Sequence, residues 1–246
     1  MSAPSSSSSR NVRFEQTRWS LVLRSVDDAS SGVRGRAMEE LCRAYWYPLY
    51  AFLRSSGNAL HDAQDLTQGF FASLADGRLL SVAAAEKGRF RTLLLLGLKR
   101  FAANAAAAER AWKRGGRTEI VPLDEAMAEE RWQADAAGMA EPEAAYDKAW
   151  AMAAVDSAVE RLREEYAASD RGALCEALAP RLTGREEGER LADVAARLGM
   201  TEAAVKMALS RMRRVFGHAL RAVVADTVND ASEIQEELRY LLSQFQ

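Results

Sequence analysis

Apolar residues recur at three- and four-residue steps through most of the chain. No segment alternates apolar and polar residues as a half-buried strand would, so the pattern predicts helices throughout. Thr17 to Val26 and Arg34 to Arg54 read as the first two helices. The second carries Leu41, Tyr45, Leu49 and Phe52, and Pro48 is expected to kink or end it. After the turn-like Ser55-Ser56-Gly57-Asn58, the stretch from His61 to Leu74 sets Leu66, Phe70, Phe71 and Leu74 on a core-facing stripe and ends near Asp76-Gly77. A loop from Asp76 to Gly88 leads into a long helix from about Arg89 to Lys113, closed by Gly115-Gly116. A second helical unit runs from Glu143 to Asp226. Beyond it, Ile234, Leu238, Leu241 and Leu242 predict an amphipathic terminal helix.

This gives an all-α chain of two helical domains. Residues 1–13 form a disordered serine-rich tip, 14–117 the first domain, 118–142 a linker, 143–226 the second domain and 227–246 a C-terminal extension. Net charge is only −2, but the charge is blocky. Lys87 to Arg117 holds nine Lys or Arg against Glu109 alone, while Asp124 to Glu143 holds seven acids against Arg131. A second basic cluster spans Lys206 to Arg221. Two basic patches flanking an acidic stretch read as two nucleic-acid-facing units on a connector that nucleic acid repels, and that the acids also keep off the protein's own basic surfaces. Cys42 and Cys175 lie far apart among apolar helical positions, which reads as buried thiols in a reducing compartment. The longest apolar run, Leu93 to Leu98, is far below a membrane span, and the N-terminus lacks a signal-peptide core, so the expected location is cytoplasmic with no membrane partner.

The most specific local pattern is LADVAARLGMTEAAVKMA, beginning at Leu191. Val194, Ala195, Leu198, Gly199, Met200, Val205 and Ala208 stand at the fixed offsets of a helix-turn-helix. Ala195 must be small where the helices cross, Gly199 supplies the positive φ of the turn, and Met200 and Val205 fill the angle between helices. Thr201 is the expected N-cap of the second helix, and Val205, Leu209, Met212 and Phe216 its inward face. Outward lie Glu202, Ala203, Lys206 and Ser210, placed to meet base edges, and Arg211, Arg213 and Arg214, placed nearer the phosphates. In the first domain, Phe90, Phe101 and Trp112 are interspersed with Arg89, Arg91, Lys99, Arg100, Arg110, Lys113 and Arg114. That mixture suits unpaired bases, although the aromatics serve equally as core. Asp62, Asp65 and Gln68, with Gln64 beside them, form a polar face on the helix from His61 that, taken alone, reads as a solvated surface.

Together these residues resemble the sigma-70 type RNA polymerase sigma factors, in the small extracytoplasmic-function (ECF) group that keeps only domains two and four. The resemblance covers roughly Trp19 to Arg221 and includes the kinked segment Tyr45 to Phe52. It implies core RNA polymerase as partner for Asp62, Gln64, Asp65, Gln68 and Phe71, through the clamp helices of the largest subunit. It implies −10 promoter DNA for Arg89, Arg91, Lys99, Arg100, Asn104, Trp112, Lys113 and Arg114. For Thr201, Glu202, Ala203, Lys206, Ser210, Arg211 and Arg214 it implies −35 DNA. Many members carry Trp near Leu93, Asn at Arg100 and Asp at Asn104, so the role is carried over without the base identity. The resemblance also admits an anti-sigma factor or a Ser/Thr kinase as regulator, with Thr67 either a plain helix-surface or partly buried threonine or a site at which a charge would alter docking. The tail after Asp226 exceeds the two-domain arrangement, and its amphipathic face is available to cover the second domain or to bind a regulator.

An enzyme is not expected. Asp62 and Asp65 have no nucleophile or metal ligand beside them, and His61 and His218 make no ligand cluster, so neither a cofactor nor a metal is expected. The competing reading is a conventional dimeric helix-turn-helix regulator, which predicts two half-sites where a sigma factor predicts a monomer when free.

Overall fold

The computed structural model describes residues 31–75, 89–111, 125–135, 141–183, 189–228 and 230–245. All of the regular structure among them is helical. The expected helix from Thr17 to Val26, the serine-rich tip and the loop from Asp76 to Gly88 lie outside the described residues.

Helix α1 spans Ser31–Ser55 and runs through Pro48, so the proline does not end it. Proline removes one intrahelical hydrogen bond. Around it, Tyr45, Leu49, Tyr50 and Leu53 are all buried, and burial of large side chains at a couple of kcal/mol each outweighs one lost bond. Helix α2 covers Leu60–Ala75, close to its expected bounds, and Gly57 opens the turn before it with φ 89°. Helix α3 covers Phe90–Ala111. Gly69 and Gly97 let α2 and α3 approach closely: a Cβ at Gly69 would stand 3.1 Å from Phe101, and one at Gly97 3.3 Å from Phe70. Phe70 and Phe101 then meet edge to face at 5.9 Å.

The acidic stretch expected to be a connector carries helix α4, Glu125–Asp135, packed on α1. Its Glu129 takes two hydrogen bonds from Arg54, at 3.0 and 2.8 Å, and one from the Tyr50 hydroxyl. Arg54 lies 4.2 Å over the ring of Trp132, and Ala128 is buried. The expectation that these acids stay off the protein's own basic surfaces fails at Glu129: a carboxylate that meets a guanidinium and a phenol in a half-buried site gains more than a solvated one.

Helix α5, Pro142–Ala168, starts on a proline in its first turn and is the longest element. Short helices α6 (Gly172–Leu178), α7 (Pro180–Thr183) and α8 (Leu191–Arg197) lead into the long α9, Glu202–Ala225. A 3-10 turn at Ala231–Glu233 precedes α10, Ile234–Ser243. The most extensive packing is of α1 against α5, followed by α9 against α5. One core joins α1 to α4, the first half of α5, the end of α9 and α10; a second joins the end of α5 to α6, α8 and the first half of α9. Hydrogen bonds also join the two halves of the chain, as Phe90 N–H donates to Thr227 O at 3.2 Å and the Tyr146 side-chain hydroxyl to Arg91 O at 2.8 Å.

Candidate nucleic-acid interface

The turn between α8 and α9 has the geometry its sequence predicts. Gly199 adopts φ 63°, and Met200 N–H returns to Ala195 O at 2.9 Å, reversing the chain within three residues. Val194, Ala195 and Val205 are buried at the crossing, with Leu198 and Met200 packed at its edge. Thr201 caps α9 by accepting from Ala204 N–H at 3.2 Å. Leu209 and Met212 face inward as expected, while Phe216 is only half-buried and touches both cores. The outward face is open: Thr201, Glu202, Ala203, Lys206, Ser210, Arg211, Arg213 and Arg214 are all exposed. Lys206 reaches Glu202 at 2.6 Å, an exposed pair one turn apart that is easily exchanged for another anion.

The polar patch on α2 is narrower than its sequence implies. Asp62 and Asp65 are exposed and Gln68 is half-buried, but Gln64 is only 6% exposed and Phe71 belongs to the core. Thr67 is 0% exposed, and its hydroxyl donates to Ala63 O at 2.7 Å. A kinase cannot reach it there, and a charge at Thr67 would disturb the fold before it could touch a partner.

The basic face of α3 divides in two. Arg100 and Asn104 are exposed. Lys99 pairs with Glu143 at 2.6 Å and lies 5.3 Å from the Phe52 ring centroid. At the start of the helix the arginines are engaged within the protein. Arg91, expected on a DNA-facing surface, is only 7% exposed, and it donates to Glu237 and to Asp147, each at 2.6 Å. Burial works against the Arg91 cation, but Glu237 and Asp147 more than offset it, so its pKa is raised. Its guanidinium stacks 4.1 Å from the Tyr240 ring centroid, and Tyr240 OH donates to Asp147 at 2.5 Å. Arg89 stands 2.5 Å from Glu236 and 3.0 Å from Glu237. Phe90, expected among base-stacking aromatics, is core, edge-on to Tyr45 at 5.1 Å. Trp112, Lys113 and Arg114 lie outside the described residues.

The acids of α10 are therefore part of this surface, and sequence reasoning gave them no role. A signal was present: Glu237 falls between Ile234 and Leu241 on the apolar stripe of α10, and Arg91 is in step with Leu94 and Leu98 on that of α3. An acid and a base in two apolar stripes imply a buried pair.

Among the described residues no cluster of three or more His, Cys, Asp or Glu could hold a metal ion, and no helix is long and apolar enough to cross a membrane. Both cysteines are unbridged. Burial, reinforced by Glu39, pushes the Cys42 thiol up to about 11, which keeps it protonated at neutral pH. No protein-family model, curated protein or solved structure matches the chain.

Proposed function

We propose that this chain is a bacterial ECF-type sigma factor, which binds core RNA polymerase and directs it to promoters. The observation that carries the reading is the complete turn at Gly199, with Lys206, Ser210, Arg211 and Arg214 projecting from the exposed face of the helix that follows it. A helix so presented enters the major groove N-terminus first, with its early residues on base edges and its later arginines on phosphates. In this reading Asp62 and Asp65 dock on the polymerase, and Arg100 and Asn104 meet the −10 region. Such a protein works in the cytoplasm, free as a monomer, with no catalytic residue of its own.

A sizing run with and without core polymerase tests it. A monomer that shifts to the polymerase fraction supports the reading. A dimer that ignores polymerase and binds paired half-sites supports a conventional helix-turn-helix regulator.

A further inference from the structure

Resting on the nucleic-acid reading of α3, we propose that helix α10 is a releasable cover, in which Glu236, Glu237 and Tyr240 hold Arg89 and Arg91 in the place of a nucleotide. The chemistry of the contact supports this. A carboxylate against two guanidinium groups, with an aromatic ring stacked on one of them, presents the same partners as a phosphate and its base. The acids of α10 are Glu236 and Glu237, with Glu233 just before it, against the single base Arg239. A polyanion approaching α3 therefore repels the helix that it must replace.

Release of the cover needs an anion of equal charge. Glu237 is 0% exposed and sets one oxygen 2.6 Å from Arg91 and the other 3.0 Å from Arg89. Only a ligand that takes over both guanidinium groups offsets the loss of that pair, which is what successive phosphates of a nucleic-acid strand provide. When α10 departs, Arg91 keeps Asp147 of α5 at 2.6 Å, so no buried cation is orphaned. The helix is also short, with Leu241 as its one fully buried apolar side chain and Leu242 and Phe245 about half exposed.

The probe is a short fluorescent single-stranded DNA oligonucleotide, titrated against the full chain at several salt concentrations, with hydrogen exchange read over residues 234–243. In the wild type, saturating oligonucleotide should speed exchange in that helix. Glu236→Gln with Glu237→Gln should bind about tenfold tighter at low salt. Its salt slope should be steeper by roughly 1.4, the value for two further phosphates on a single strand. Because an amide buried in place of the Glu237 carboxylate can itself perturb folding, a second form keeps both acids and carries a protease site inserted between Val228 and Asp230. Cutting it should give the same gain while circular dichroism stays helical. The cover is refuted if 234–243 stay protected with oligonucleotide bound, or if both altered forms bind with wild-type affinity and slope. Absence of oligonucleotide binding by every form also overturns it. Retention by core polymerase separately judges the sigma reading, since the double glutamine variant should be retained as the wild type is.

Discussion

Glu129→Gln tests how firmly the acidic segment is fastened to the first helix. Glu129 and Arg54 are each 16% exposed, and Arg54 and Tyr50 hold the Glu129 carboxyl at about 2, well below its ordinary 4.5. By linkage a displacement of that size corresponds to roughly 3 kcal/mol. Water reaches the rim of the pair and screens it, which reduces the expected contribution to about 1–2 kcal/mol. The glutamine keeps the shape but loses the charge, and its amide N–H2 opposes the donors of Arg54. At neutral pH the melting temperature should fall by about 2–8 °C for a chain of this size. The pH dependence carries the sign. A carboxyl whose folded pKa is depressed stabilises fully above its unfolded value and loses that contribution as pH falls towards the folded one. The gap between wild type and Glu129→Gln should thus be full above about pH 5, shrink from pH 4.5 downward and close near pH 2. Melts of both proteins across that range, followed by circular dichroism, provide the assay. Equal melting temperatures at pH 7, or a gap that persists undiminished at pH 2, would refute the reasoning.

Three further outcomes are expected. Thr67→Glu should unfold the protein or cost more than ~3 kcal/mol, because it forces a charge into a fully buried site, while Thr67→Val should cost about 1 kcal/mol or less; chemical denaturation of the two reads the difference. Gly199→Ala meets open space but strains a backbone at φ 63°, so it should lose about 1 kcal/mol in a denaturant melt and weaken duplex binding. Lys206→Ala with Arg211→Ala should leave folding unchanged and weaken promoter binding, by about 1–3 kcal/mol for the base-edge contact of Lys206 and by a further sequence-indifferent loss, with a shallower salt slope, for the phosphate contact of Arg211; a loss wholly indifferent to sequence would reassign Lys206 to phosphates as well.

Elements whose causes lie close together in sequence were readable from it. The helix-turn-helix needs only the residues from Leu191 to Ala208, each with a local steric reason, and those that turn and pack it sit as expected. The bounds of α2 followed from Gly57 before it and the apolar stripe within it. What escaped depends on partners far along the chain. Helix α4 has too few apolar residues to form a stripe, and it is placed by the pairing of Arg54 with Glu129, 75 residues apart. Arg91 and Glu237 lie 146 residues apart, and each alone looks like a surface charge. Gln64 looks by chemical type like part of the polar face, although its spacing to Phe71, shared with Thr67, places both on the buried side of α2. Where chemical type and helical phase disagree, phase decides burial.

Retention of core enzyme is the sharpest test of the proposed docking of α2 on RNA polymerase. Asp62 and Asp65 are exposed, so Asp62→Ala with Asp65→Ala should barely shift the unfolding curve. On the proposed reading, charge-assisted contacts to the polymerase should nevertheless be lost. The measurement is a pull-down of purified core polymerase by the wild type, by this double variant and by Lys206→Ala with Arg211→Ala. The account predicts strong retention by the wild type and the basic-residue variant and little by the aspartate variant. Failure of the wild type to retain polymerase, or equal retention by the aspartate variant, would contradict it.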